Sequence, residues 1–310
     1  MRVIFMGTPD FAVGTLEEII RAGHEVPLAV TQPDKPKGRG NAMQFSPVKE
    51  AAIAHGIPVF QPDKIRLPEN VRELKKYEPD IIVVAAFGQI LPDEILNLPK
   101  FGCINVHASL LPKYRGAAPI QWAVISGERE TGVTIMRMDA GIDTGDIIAC
   151  KKVPLAEDET GGSLFDKLAE EGARLCVKAM ADIESKTAVY TPQNHSEATH
   201  TAMIRKELGS IDWSRPAVEL ERLVRGLNPW PSAYTRLHGK NFKIWRAKVI
   251  AAASDKSPGC IVKAEKNDLW VQTGDGVLAL LEVQLEGKKR MDAGAFLRGY
   301  PIESSGSVFG

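Results

Sequence analysis

Residues Asp80 to Ala86 read Asp-Ile-Ile-Val-Val-Ala-Ala, an aliphatic run with no polar alternation. A strand that shows water neither face reads this way, and such strands belong to parallel sheets covered by helices on both sides. Val3 to Met6 is a second buried strand, stopped by Gly7 and Pro9. Phe11 to Ala22 then carries Leu16, Ile19 and Ile20 at helical spacing and ends at Gly23. Val26 to Thr31, Cys103 to Val106, Val133 to Met138 and Ile147 to Val153 read as further strands. Ser46-Pro47 opens a helix, with serine as the cap and proline in the first turn, and Glu69 to Tyr77 and Gly161 to Ile183 are also helical. Repeated strand–helix units predict an α/β fold, a Rossmann-like parallel or mixed sheet with right-handed crossovers.

The pattern changes near residue 190. The chain has 310 residues, a length at which one core gives way to two. We expect a first domain over 1–189, a polar linker over 190–209 and a second domain over 210–310. Ile211 to Leu227 includes a helix, ended by Gly226 and Pro229. Beyond it come short strands at Phe242 to Ile250, Gly259 to Ala264, Asp268 to Thr273 and Val277 to Leu285, separated by glycine, asparagine and aspartate. That spacing fits a small OB-like β-barrel. Glu303 to Gly310 reads as a fraying end.

The formal charge is zero, with 39 basic and 39 acidic residues, which argues against a generic nucleic-acid coat. The balance is uneven along the chain, however. Residues 206–310 hold 16 Lys and Arg against 12 Asp and Glu, while the remainder holds 23 against 27. An anionic partner would be drawn to the second domain, although an ordinary soluble surface fits the same counts. The four cysteines stand far apart with no Cys-x-x-Cys pair, so they read as buried thiols in a reducing compartment, with no metal site and no disulfide framework. The apolar start Met1 to Met6 is too short to cross a membrane and lacks the form of a signal peptide, which makes the cytoplasm the expected location. Gly7-Thr8-Pro9-Asp10 lacks the Gly-x-Gly-x-x-Gly run and puts a carboxylate where a pyrophosphate would lie, so dinucleotide binding is not expected.

Chemistry concentrates at Asn105-Val106-His107, where an apolar strand ends. In open α/β sheets ligands sit at the carboxyl ends of strands. An amide can donate to a developing oxyanion, and an imidazole can take a proton near neutral pH. Asp143 lies in the polar bend Asp139-Ala140-Gly141-Ile142-Asp143-Thr144-Gly145-Asp146, and beside His107 it would hold the ring's tautomer. Spacing alone leaves a second reading open, a capped turn with a hydrogen-bonded histidine and aspartates that merely cap. No Gly-x-Ser-x-Gly elbow is present, so direct attack by a substrate amine suits these residues better than an acyl-enzyme.

Ser109-Leu110-Leu111-Pro112-Lys113-Tyr114-Arg115-Gly116-Ala117-Ala118-Pro119-Ile120, taken with Asn105, His107 and the Asp143 bend, resembles the formyltransferases that use 10-formyltetrahydrofolate. The resemblance implies that Asn105, His107 and Asp143 form the catalytic group. It implies folate contacts from Phe87, Gly88, Gln89, Ile90 and Leu91, from Ser109, Leu110, Leu111 and Pro112, and from Asp139 and Gly141. It extends to about Gly299, and over that length it is to the branch whose acceptor is methionyl initiator tRNA. Gln32 to Gly40, with Lys35, Lys37 and Arg39, resembles that branch's basic loop near the acceptor end of the RNA, and Arg246 and Lys248 of the second domain would hold its backbone. The expected protein is a monomer with no metal and no membrane. The alternatives are a formyltransferase acting on an amino sugar or ribonucleotide amine, a hydrolase that releases formate, and a nonenzymatic RNA-binding protein.

Overall fold

The computed structural model describes residues 1–37, 42–252, 254–302 and 308–309. The chain divides into two compact units. One takes Met1–Pro119, Glu130–Pro154 and Phe165–Thr201, and the other takes Ile120–Arg129, Leu155–Leu164 and Ala202–Gly310.

The first unit is built on a seven-stranded sheet in the spatial order Ile147–Pro154, Glu130–Arg137, Cys103–His107, Ile81–Ala85, Arg2–Gly7, Glu25–Val30, Val59–Phe60. From Cys103–His107 onward the five strands are parallel, and the hairpin Glu130–Pro154 adds two antiparallel strands at the other edge. The sheet is therefore mixed. The aliphatic run Ile81–Ala85 is itself the central strand of the seven, between Cys103–His107 and Arg2–Gly7, and all five of its residues are buried. On one face Ile4, Met6, Leu28, Ile82 and Val84 join Phe87, Leu91 and Ile95 in a single apolar cluster. Chain order reverses between Arg2–Gly7 and Ile81–Ala85, which opens a crevice at the carboxyl ends of the strands, where such sheets bind ligands.

The helix Gly161–Glu184 approaches the site-bearing strands closely because Gly172 has no side chain. A Cβ there would stand 2.9 Å from Val106 Cγ1 and 3.3 Å from Val133 Cγ1. The polar stretch after Thr31 forms a short antiparallel hairpin, Lys35–Lys37 with Ala42–Gln44, which the composition did not signal.

The second unit contains a six-stranded antiparallel sheet of OB-like type. Its order is Ala233–Leu237, Lys240–Ile250, Val277–Leu285, Asp268–Gln272, Ile261–Glu265, with Met291–Asp292 also paired to Val277–Leu285. Helix Ala217–Gly226 buries Leu220, Leu223 and Val224. The short helix Ala293–Gly299, unmarked in the sequence, is capped by Asp292, which accepts from the Ala295 amide at 2.7 Å. Within this unit the Arg225 guanidinium donates to Glu159 O at 2.8 Å, and the Gly162 amide donates to Asn228 O at 2.9 Å. Gly226 lies against Ile125, where a Cβ would be 2.4 Å from its Cγ1.

Two expectations are corrected. Phe309 does not fray: it is 2% exposed and packs on Trp213 and Phe242 at ring distances of 5.7 and 5.2 Å, while residues 303–307 and 310 lie outside the described residues. The four cysteines are not all buried. Cys103 and Cys176 are, and burial pushes both thiols up to about 12, but Cys150 on the edge strand is exposed and Cys260 is half-buried. Among the described residues no helix is long and apolar enough to cross a membrane.

Phe242 is fully buried and also meets Phe296 at 5.1 Å. Phe242→Ala is expected to destabilise the second unit by about 3–5 kcal/mol, read as an earlier unfolding transition in urea.

Candidate active site

The strand Cys103–His107 delivers two polar side chains because its register is pinned on both sides. Asn105 lies beside Val84 and Met136, and His107 beside Thr134. The turn after His107 is held by Thr134, whose hydroxyl donates to Ser109 O at 2.7 Å and accepts from the Leu111 amide at 3.2 Å. Asp143 reaches the same place from the loop that follows Glu130–Arg137. That loop leaves opposite Ile104 and folds back toward His107. Its return needs glycine, since a Cβ on Gly145 would stand 1.8 Å from Arg137 O.

The three side chains converge. Asn105 Nδ2 donates to Asp143 Oδ1 at 3.4 Å, and His107 Nδ1 lies 3.6 Å from Asp143 Oδ2. The Gly116 amide donates to the same Oδ2 at 2.8 Å. On the far side of the ring, His107 Nε2 lies 2.9 Å from the carbonyl oxygen of Tyr114. A carbonyl only accepts, so Nε2 carries a proton and Nδ1 is the nitrogen left facing the carboxylate. His107 is 6% exposed, and the Asp143 side chain is also largely sheltered.

The backbone around this cluster is unusual. Tyr114, Ala118 and Asp143, and Ala86 at the end of the neighbouring strand, all have φ between 47° and 59°. Each such non-glycine residue costs on the order of 1–3 kcal/mol and persists only where its surroundings enforce it. Gly116, at φ 93°, meets a further limit: a Cβ would lie 2.8 Å from Thr201 O.

The other residues singled out in the sequence fall into distinct settings. Phe87 and Leu91 are buried in the core, and Phe87 O accepts from Thr8 Oγ1 and Gln32 Nε2. Gln89 spends its amide on Ile65 N and Pro62 O, while Gly88 and Ile90 are exposed. Ser109 is fully buried and donates to Lys113 O at 2.6 Å; Leu111 is buried, and Leu110 and Pro112 are half-buried. Asp139 Oδ1 accepts from the Gly141 amide and from Thr144 Oγ1, closing the bend. Lys35, Arg246 and Lys248 are exposed. Arg39 and the side chain of Lys37 lie outside the described residues. At the foot of the hairpin Lys49 Nζ pairs with Asp34 Oδ2 at 2.5 Å, and hydrogen bonds from Lys49 and Gln61 hold the Asp34 carboxyl below the usual range.

Some contributors were not visible in the sequence. The Tyr114 carbonyl and Gly116 amide are backbone groups inside a recognised motif, and Gln193, which donates to Asp143 O and Gly145 O, lies in the stretch read as linker. Among the described residues no group of three or more His, Cys, Asp and Glu is placed to hold a metal ion.

Comparison with known proteins agrees with this architecture. Residues 1–180 match the formyl transferase family, and residues 203–301 match the formyl transferase C-terminal domain. The methionyl-tRNA formyltransferase of Agathobacter rectalis is 69% identical over 309 residues, covering 100% of this chain and 99% of its own. That of Lachnospira eligens is 56% identical over 309 residues, covering 98% of each. The solved N-formyltransferase of Helicobacter canadensis, in complex with folinic acid and dTDP-3-aminofucose, shares the fold with a TM-score of 0.66 at 20% identity, over 90% of this chain and 98% of that one. The chain belongs to the methionyl-tRNA formyltransferase family.

Gly116→Ala tests the geometry directly. The added methyl group must push against Thr201 O and turn the amide away from Asp143. The expected outcome is a folded protein whose formyl-transfer rate falls by about a hundredfold, the scale of an ångström's misplacement at a reacting centre.

Proposed function

We propose that this protein moves the formyl group of 10-formyltetrahydrofolate onto the α-amine of methionyl initiator tRNA, giving N-formylmethionyl-tRNA and tetrahydrofolate at the start of protein biosynthesis. The observation that carries the reading is the convergence of Asn105, His107 and Asp143 at the end of one strand.

Asn105 stands where its amide can donate to the formyl oxygen as the amine attacks and the carbon becomes tetrahedral. The amine, with a free pKa near roughly 8, is neutral often enough to attack at physiological pH. His107 takes the amine's proton, directly or through water, and returns it to the departing folate nitrogen as the old carbon–nitrogen bond breaks. Asp143 orients the ring and stabilises its charged form. The new bond is between formyl carbon and α-nitrogen, and the proton that leaves one nitrogen ends on the other. Exposed Ile90 and Ile142 supply apolar surface for the flat pterin, beside the polar backbone of Gly88 and of the Asp139–Asp143 bend.

The division of labour follows the two sheets. The first unit, with Asn105, His107 and Asp143, carries the chemistry, and the second holds the RNA backbone, with Arg246 and Lys248 exposed on the longest strand of its sheet. Lys35, Lys37 and Arg39 approach the acceptor end. The protein works as a monomer in the cytoplasm.

The direct test is to supply 10-formyltetrahydrofolate with charged initiator tRNA and ask which molecule gains the formyl group. Uncharged RNA, elongator methionyl-tRNA and an amino sugar serve as controls. Formylation of the amino sugar in preference to the charged initiator would reverse the assignment. In the same assay Asn105→Ala is expected to lower kcat by about a hundred- to a thousandfold, the cost of losing one oxyanion donor. The pair Arg246→Ala and Lys248→Ala is expected to raise KM for the RNA and leave KM for the folate unchanged. Each lost phosphate contact should flatten the slope of log affinity against log salt by about one.

A further inference from the structure

We propose that Gln193 is a positioning residue of the transfer site, holding Asp143 against Asn105 and His107 through the backbone of the Asp143–Gly145 loop. The proposal rests on the catalytic reading above and assigns that site a residue beyond the strand and the recognised motif.

Every hydrogen-bonding group of the Gln193 side chain is used. Nε2 donates to Asp143 O at 3.0 Å and to Gly145 O at 2.6 Å. Oε1 accepts from Arg115 Nε at 3.2 Å and from Nη2 at 2.7 Å. Gln193 is 6% exposed and Arg115 3%, so water cannot readily replace either partner. Arg115 immediately precedes Gly116, whose amide binds the Asp143 carboxylate, and follows Tyr114, whose carbonyl binds His107. One amide side chain therefore couples the backbone of the aspartate loop to the segment that orients both the carboxylate and the imidazole.

The chain around Gln193 is fixed at both ends. Thr191 exchanges two backbone hydrogen bonds with Ile147 on the edge strand, at 2.8 and 2.9 Å. Downstream, His200 and Thr201 pair in parallel with Arg115 and Gly116, and Thr199 accepts from the amides of Tyr114 and Arg115. Residues 191–201 thus run as a strap from the hairpin edge across the Asp143 loop to the Tyr114–Ala117 segment.

The chemistry also selects glutamine over glutamate. A guanidinium fork ordinarily takes a carboxylate, and glutamate at 193 would satisfy Arg115 with an ion pair. It would also set an anionic oxygen against the carbonyls of Asp143 and Gly145, where only a donor fits. Gln193→Glu therefore separates two roles. If the residue serves only to satisfy buried Arg115, glutamate is acceptable. If it holds the aspartate loop, glutamate is as damaging as alanine.

The test uses the full chain, charged initiator tRNA and 10-formyltetrahydrofolate, with kcat and both KM values measured per folded enzyme and thermal unfolding followed in parallel. Gln193→Ala and Gln193→Glu are each expected to lower kcat by about tenfold or more, because the carboxylate shifts from its place. Both KM values should stay within about twofold, the pattern of an interaction felt only in the transition state. Gln193→Glu keeps a partner for buried Arg115 and should fold, with a lower unfolding temperature than the parent, so it remains informative if Gln193→Ala does not fold. Parental kcat in folded Gln193→Glu overturns the proposal. Asn105→Ala, which leaves the Gln193 contacts in place, is measured alongside. Full activity there sinks the catalytic reading and this proposal together, whereas an impaired Asn105→Ala beside a fully active Gln193→Glu sinks only the role of Gln193.

Discussion

The hydrogen bond from the Gly116 amide to Asp143 Oδ2 joins stretches of chain that sequence order keeps apart. Asp143 comes from the loop of an antiparallel edge hairpin, Gly116 from the turn beyond the Cys103–His107 strand, and that turn also supplies the carbonyl that fixes the imidazole. The carboxylate has a defined direction only because this amide, Asn105 and His107 surround it. Left-handed backbone at Tyr114, Ala118 and Asp143 is the conformational cost of aiming those groups inward, and packing elsewhere in the sheet offsets it.

Periodicity made the sheet legible. The aliphatic run at 81–86 and the apolar strand at 103–106 each have one plausible environment, and both lie where a parallel sheet requires. Asn105 and His107 were legible as well, because a strand that turns polar at its carboxyl end points at the crevice. The hairpin at Lys35–Lys37 was not, since its composition is that of a solvated loop and its pairing is backbone to backbone. The same limit hid the Tyr114 carbonyl and the Gly116 amide as partners, because every residue but proline carries both groups and only the fold decides which are used.

Segments rich in threonine, asparagine and serine read as connectors because nothing in them asks for burial. Residues 191–201 have that composition, yet Gln193 is buried and the strand at His200–Thr201 pairs with Arg115 and Gly116. The partners of the Gln193 side chain are a guanidinium and two carbonyl oxygens, not water. Cysteine misled in the opposite direction. A scarce, unpaired thiol suggests a core position, but Cys150 is exposed on the terminal strand of the sheet.

The way the chain is shared between its two units bears on how the protein can be dissected. Ile120–Arg129 and Leu155–Leu164 are embedded in sequence among the strands of the first sheet but belong to the second unit, where Gly226 abuts Ile125 and Arg225 binds Glu159 O. Severing the backbone in the polar stretch between the sheets would not release two self-sufficient halves. The carboxyl-terminal fragment would lack the segments that cover Gly226 and accept from Arg225, and the amino-terminal fragment would carry those segments with their apolar faces bared to solvent. Fragment complementation, with both pieces present during folding, is the form of dissection this connectivity permits.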